Sequence, residues 1–254
     1  MAKTFIALGD LHAPRHNEMA VEIATAVIED VQPDCLVTLG DMLDCSQFSS
    51  HDPTPHELES DYASDLDYVS GLLDRWQDSC GWLAFIEGNH EFRVDRWAAK
   101  TAEGRGAYSM LAPRLQLSRD RKNFTYIPYG SANGKYPHYK LNSRIRCIHG
   151  WSYAQHATKA HLRMSQGKSI IHGHTHRADM SMIQNIWQEG GFIQAVSAGC
   201  LMKPIPTYGV GSPVDWVNAF IIGYMGRSSD TIYTIPITNT GCVLPDGTEF
   251  TLAV

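Results

Sequence analysis

Five short runs of metal-ligating residue types, each placed after an apolar stretch, constrain this chain more than any other feature. Asp10-Leu11-His12 follows Ile6-Ala7-Leu8, and Gly40-Asp41-Met42-Leu43-Asp44 follows Leu36-Val37-Thr38-Leu39. Gly88-Asn89-His90-Glu91 follows Trp82 to Ile86, His149-Gly150 follows Ile145 to Ile148, and Gly173-His174-Thr175-His176 follows Ser169 to Ile171. Short apolar runs bounded by turn residues read as buried strands. Side chains at the ends of adjacent strands converge on one edge of an open α/β sheet, which is where such sheets place their sites. Singly, a Gly-Asp is usually a turn and a His-Gly a strand exit. Five such pieces in order, each at a strand end, are hard to obtain by chance.

The remaining sequence agrees with a mixed α/β chain. His16 to Val31 carries Met19, Ile23, Val27 and Val31 at i, i+4 spacing, a helical stripe that Pro33-Asp34 ends. Ser46 to Pro55 reads as a loop. Glu57 to Gln77 reads as a helix burying Leu58, Tyr62, Leu66, Val69, Leu72, Leu73 and Trp76, and Glu91 to Ala102 and Ala107 to Leu117 as two more. Beyond residue 123 the texture changes to strands at Phe124 to Ile127, Tyr136 to Leu141 and Arg144 to Ile148, with Asn142-Ser143 as a hairpin turn. A short helix is expected over His156 to Met164. Strands are expected at Ser169 to His172, Met180 to Ile186, Gly191 to Ser197, Val217 to Met225 and Thr231 to Ile237. Helices alternating with strands, then mostly strands, suggest two stacked mixed sheets flanked by helices.

The 254 residues contain no linker, repeat or low-complexity tract, so one domain over 1–254 is expected. No apolar run approaches the ~20 residues that cross a bilayer, and the start reads as a strand rather than a signal peptide. The six cysteines form no Cys-x-x-Cys pair, which suits reduced thiols in a cytoplasmic protein. Net charge is −6 but unevenly spread. Between Asp41 and Asp78 the charges are almost all acidic, with Arg75 alone opposing them. From Arg93 to Arg146 twelve basic residues face three acidic ones. A basic segment on an acidic protein can steer a polyanion toward a site; the alternative is a solvated face with no partner.

The five runs resemble the pattern of the calcineurin-like metallophosphoesterases: D-x-H, G-D-x-x-D, G-N-H-[DE], H and G-H-x-H. The likeness spans residues 10 to 176. Gly199-Cys200-Leu201, the run Asp215 to Phe220 and Arg93 two places after Glu91 look like a phage and bacterial subgroup, which would place the protein in a bacterial or host cytoplasm. The resemblance implies a four-layer α/β/β/α sandwich of two mixed sheets. It also implies hydrolysis of phosphate esters by a hydroxide held between two divalent metals. Asp41 would bridge the metals, with Asp10, His12 and His176 completing one shell and Asn89, His149 and His174 the other. Imidazole, carboxylate and amide without thiolate point to Mn²⁺, Fe or Zn²⁺.

In such a family His90 would contact the phosphate and protonate the leaving oxygen, and Asp44 would keep it charged and oriented. Phosphoprotein phosphatases continue after the equivalent aspartate with Arg-Gly, whereas here Cys45-Ser46 follows. Replacement cations could come from Arg15, Arg93 or Arg177, since the guanidinium fork matches phosphate oxygens. His172 reads as structural, and His51, His56, His138, His156 and His161 as ordinary surface or core residues. The favoured substrate is a phosphodiester in nucleic acid or a nucleotide. The alternatives are a phosphomonoester or phosphoprotein substrate, and a non-catalytic metal-binding scaffold.

Overall fold

Cys35–Thr38 and Leu83–Ile86 are buried at every position, as strands covered on both faces must be. The computed structural model describes residues 2–51, 60–130, 135–185, 191–204 and 214–251. Lys3–Leu8 (β1), Cys35–Thr38 (β2), Leu83–Ile86 (β3) and Phe124–Ile127 (β4) run parallel in one sheet. Ala219–Met225 (β10) and Asp230–Pro236 (β11) extend it antiparallel, giving the order β11-β10-β1-β2-β3-β4. Tyr139–Lys140 (β5), Ile145–Ile148 (β6), Ser169–His172 (β7), Met180–Gln184 (β8) and Phe192–Ser197 (β9) form a second sheet, ordered β5-β6-β7-β9-β8. Within it β6, β7 and β9 are parallel. Cys242–Val243 (β12) and Glu249–Phe250 (β13) make a small hairpin.

Alternation along the strands builds the layers. Ile6, Leu8, Leu36, Leu83 and Phe85 point one way, against Val21, Ile28, Leu73 and Trp76 of the helices Glu18–Val31 (α1) and Tyr62–Asp78 (α2). Phe5, Ala7, Val37, Ala84 and Ile86 point the other way, against Cys147, Ile171 and Val196 of the second sheet. The outer face of that sheet, at Ile148, Ile170 and Ala195, packs on Leu162 of Ala157–Arg163 (α6). The result is the expected α/β/β/α order of layers. Each fully buried Ile, Leu or Phe contributes roughly 1.5–3 kcal/mol, so a one-residue slip of β1 or β2 would cost the fold both cores at once.

Local chemistry moved some helix boundaries. The expected Glu91 to Ala102 helix is Phe92–Lys100 (α3). Thr101 then turns extended (φ −117°, ψ 152°), and its Oγ1 accepts from Gly104 N at 2.9 Å to cap Ala102–Leu111 (α4). The expected Ala107 to Leu117 helix is broken at Ala112, which is extended because Pro113 follows it. Pro113–Leu117 (α5) starts afresh with the proline in its first turn. The acidic helix expected from Glu57 begins at Tyr62 with Asp61 as its cap; Glu57, Leu58 and His56 lie outside the described residues. Between Tyr136 and Leu141 only Tyr139–Lys140 is strand, and it pairs with β6 across the Asn142-Ser143 turn. Asn142 Oδ1 accepts from Arg144 N and Ile145 N at 2.7 and 2.8 Å there. All six cysteines are free thiols. No helix among the described residues is long and apolar enough to cross a membrane.

Candidate metal centre

The parallel strands of both sheets deliver their C-terminal ends to one place. From the first sheet, β1 leads into Asp10 and His12, β2 into Asp41 and Asp44, and β3 into Asn89 and His90. From the second, β6 leads into His149, and β7 into His174 and His176. Asp10, His12, Asp41, His174 and His176 all have φ between 51° and 72°, a left-handed region that costs an L residue roughly 1–2 kcal/mol. Surrounding bonds hold them there: Asp10 N donates to Gly40 O and His12 N to Asp41 O, both at 2.9 Å. His174 N donates to both Asp10 carboxylate oxygens at 3.0 and 2.9 Å, crossing from one sheet to the other.

Asp41 Oδ2 is the common point of the cluster. It lies 3.3 Å from His149 Nε2, 3.8 Å from His12 Nε2 and 3.9 Å from His90 Nε2. Three sets of ligand atoms each fall within 4.8 Å of one another: Asp10, His12 and His176; Asp41, His149 and His174; and His12, Asp41 and His90. Asn89 Oδ1 joins the second set at 2.9 Å from His149 Nε2. A Cβ at Gly88 would fall on the Asp41 carboxylate and amide, so glycine is required where β3 passes closest.

Charge is strongly organised here. Burial alone would raise the pKa of Asp41, but His149, His90 and His12 outweigh it and hold the group ionised, well below the usual range. Burial opposes the charged form of His149, yet Asp41 carries its pKa up to about 9. Burial and neighbouring imidazoles push His12 down to about 4 and His174 down to about 3. Neutral imidazoles are the form that ligates a cation. His12 Nε2 faces His176 Nε2 at 3.1 Å, and His149 Nε2 faces His174 Nδ1 at 3.0 Å. His174 Nε2 and His176 Nδ1 are buried without a hydrogen-bond partner among the described residues. Neutral His12 and His174 rings about a buried carboxylate, with a cation able to take the place of the His149 proton, are a donor set that fits divalent cations.

A model of the calcineurin-like phosphoesterase superfamily domain matches residues 4–207. The chain belongs to that superfamily. No curated protein sequence matches the chain. Among solved structures, Vacuolar Protein Sorting 29 from Cryptosporidium parvum is similar over 99% of each chain, at 12% identity and a TM-score of 0.51. A double mutant of Vps29 from Entamoeba histolytica gives a TM-score of 0.50 at 11% identity, over 98% of this chain and 99% of its own. YfcE, a phosphoesterase from E. coli, gives 0.40 at 15% identity, over 90% and 98%. At these identities the Vps29 likenesses bear on the fold alone. The superfamily and the donor clusters together support a metal-dependent phosphoesterase that binds divalent metals.

In this member of the superfamily, His90 stands apart from the other imidazoles. Its Nδ1 is 3.1 Å from Asp44 Oδ1 and 2.9 Å from Asp44 O, and Arg93 Nη2 lies 3.1 Å from Nε2. A guanidinium can only donate, so this arrangement describes a neutral ring with its proton on Nδ1. Burial opposes a charged His90, but Asp41 and Asp44 outweigh it and raise its pKa. Asp44 Oδ1 also meets His12 Nδ1 at 3.2 Å, and Arg15 Nη2 lies 3.5 Å from Asp44 Oδ2. Arg15 and Arg93 both line the cavity over the cluster. Arg177 instead reaches the backbone carbonyls of Tyr153 and Ala154 at 3.2 and 2.9 Å.

Three features of the superfamily member escaped the sequence reading. His51, read as ordinary, lines the cavity beside His90. Tyr153 and Trp216 pack on His174 and His176. Glu91 is fully buried, and its carboxylate accepts from Asp41 N, Leu43 N and Gly88 N at 3.0, 2.9 and 2.9 Å. A charged residue directly after Asn89-His90, at the mouth of a helix, was the available signal for it. Glu91→Ala would orphan three buried amides in the loops that carry Asp41 and Asn89. A loss on the order of 3 kcal/mol in unfolding free energy is expected, together with weaker metal binding. Urea unfolding and metal titration of the variant check this; unchanged affinity would show that the loops hold themselves.

The runs after the last motif also support the site. Leu201 N lies 3.2 Å from Gly9 O and 3.1 Å from Asp10 O, and Cys200 N donates to Val217 O at 3.0 Å. The segment from Gly199 to Leu201 therefore buttresses the Asp10 loop. The basic stretch from Arg93 to Arg146 is partly neutralised within the fold. Arg121 pairs with Asp74 of the acidic helix α2, and Arg144 with Asp230 of β11.

Proposed function

We propose that this protein hydrolyses phosphodiesters of nucleotides or nucleic acid with two divalent metals held about Asp41. Two of the three donor sets share the buried Asp41 carboxylate, and the third reaches it through His12, 3.8 Å from Asp41 Oδ2; this convergence carries the reading. Asp10, His12 and His176 with Asp41 would hold one ion, and Asn89, His149 and His174 with Asp41 the other. Bound there, the ions would supply the Lewis acidity that activates water and neutralises phosphate charge. Manganese is the favoured metal, with iron or zinc as alternatives, and the place of action is a bacterial or phage-infected cytoplasm.

The chain's own residues supply the rest. His90 is the general acid for the leaving oxygen, and Asp44 orients its ring through Nδ1. Arg93 releases His90 Nε2 when its fork meets phosphate, and the freed nitrogen takes a proton from solvent, giving the imidazolium that Asp41 and Asp44 favour and that passes this proton to the leaving oxygen. Arg15 offers a second fork across the cavity. Arg177 acts at a distance, by fixing the Tyr153–Ala154 backbone. We take residues 1–254 as one domain, because β10, which follows the matched residues 4–207, pairs with β1, and β11 pairs with β10. A phosphomonoester or phosphoprotein substrate is the alternative. Retention of His90 and of every donor argues against a scaffold.

Purified protein is expected to carry two metal ions per chain and to lose turnover on dialysis against EDTA, with Mn²⁺ restoring it. Elemental analysis, then assays on phosphomonoesters, diesters, cyclic nucleotides and oligonucleotides with Mn²⁺, Zn²⁺ and Mg²⁺, would check both points. Activity indifferent to the chelator would sink the metal-dependent reading.

A further inference from the structure

Resting on the phosphoesterase reading above, we infer that the site takes a phosphodiester joining two nucleosides, with an aromatic ring for a base on each side of the metal cluster. Two cavities meet over the cluster. One, of about 470 Å³, runs past Arg15 and Met202 to Trp216. The other, of about 400 Å³, runs past Asn89 and Arg96 to Tyr129 and Trp151. His90, Arg93, Tyr153 and His174 line both. A phosphomonoester has one substituent on phosphorus and needs one such space. A diester has two substituents and needs both.

Two rings are seated on histidines of the Gly173-to-His176 run: Trp216, which lines the first cavity alone, and Tyr153, which lines both where they meet and continues into the second beside Trp151. Tyr153 lies 3.9 Å from the His174 ring centre, and Trp216 lies 4.4 Å from that of His176. Tyr153 is 68% exposed although Arg177 pins its backbone carbonyl. Beside it Trp151 is 38% exposed but held edge-on by Tyr136 at 4.8 Å and by His161 at 4.2 Å. Trp151 N also donates to His161 Nε2 at 3.1 Å. Rings fixed by their neighbours and open to a cavity form platforms on which any base can stack. The guanidinium of Arg96, exposed at the end of the second cavity, makes no hydrogen bond or ion pair among the described residues. It is placed for a further phosphate along a strand. The ring of a phosphotyrosine would cover one platform and leave the other bare.

The test is steady-state kinetics of the metal-loaded protein on thymidylyl-thymidine, methyl p-nitrophenyl phosphate and a phosphotyrosine peptide. Tyr153→Ala and Trp216→Ala are each expected to raise KM for thymidylyl-thymidine about 10-fold, in line with the loss of one stacked base, with a smaller change in kcat. Tyr153→Phe and Trp216→Phe should restore the wild-type KM, since each keeps an aromatic face. On methyl p-nitrophenyl phosphate the alanine variants should change kcat/KM several-fold less. Equal changes on both diesters, failure of the phenylalanine variants to rescue, or turnover of the peptide in place of the dinucleotide would overturn the assignment. Turnover of the small diester without thymidylyl-thymidine would overturn it too, while leaving the enzyme reading intact. If no ester is hydrolysed, the enzyme reading fails and calorimetric titration of thymidylyl-thymidine decides. Binding that both alanine variants lose keeps the two-platform site, and absence of binding removes it.

Discussion

Asp41→Asn is expected to bring turnover to background and metal content to one ion per chain or fewer. Asp41 Oδ2 is the atom on which His12, His90 and His149 converge, at 3.3 to 3.9 Å. Replacing it with an amide removes the negative charge that would separate two dications, so their repulsion loses its compensation. Asp41 Oδ1 accepts from His90 N at 2.9 Å, and the amide oxygen can keep that bond. The fold should therefore survive, and circular dichroism would show it. Elemental analysis and single-turnover assays together are the measurement. A variant that retains two metals would show that the bridge lies elsewhere, with Asp10 the next carboxylate to test.

His90→Ala is expected to behave differently: full metal content, with kcat lower by about 10²–10⁴-fold, the usual range for loss of a general acid. The ring contacts Asp44 on one side and Arg93 on the other, and neither contact is needed to hold Asp10, His176, His149 or His174. His90 nevertheless forms a donor set with His12 and Asp41, so the two roles make opposite forecasts. Metal loss matching that of Asp41→Asn would make His90 a ligand rather than the acid. A rate defect that shrinks with a substrate of better leaving group, such as a nitrophenyl ester, is the signature of the acid.

The donor residues were legible because each is tied to the end of a short apolar run, and a strand end is a local property. Asp10 and His174 are 164 positions apart, yet each announces its own strand. The layers were legible for the same reason, since Ile6, Leu8 and Leu36 alternate with Phe5, Ala7 and Val37. What was not legible depends on distant partners. Arg121 belongs to a basic stretch in the sequence, and its partner Asp74 lies 47 positions away. His51 and Tyr153 sit on irregular segments, where spacing says nothing of direction. Glu91 was visible in its motif, but its work is done on the amides of another loop. Thr101 and Pro113 carried ordinary signals for a helix start, and the apolar pattern across them concealed the breaks.

Because β1, β2 and β3 on one sheet and β6 and β7 on the other all end at the cluster, the centre exists only while the two sheets are docked. The contacts already spanning them, such as His149 Nδ1 with Leu39 O at 2.8 Å, act at the open rim of a clamshell whose hinge is the apolar layer between the sheets. A cation seated there binds the closed clamshell and has no comparable site in the unfolded chain. At about 100 times its dissociation constant it would favour the closed form by about 2.7 kcal/mol. On the proposed function, metal supply would then govern more than catalysis. In a cell short of the ion that margin would be lost, and forms opened enough to expose Val37, Ile171 and their neighbours to proteases would become about 100-fold more populated. The amount of protein, as well as its activity, would follow the metal.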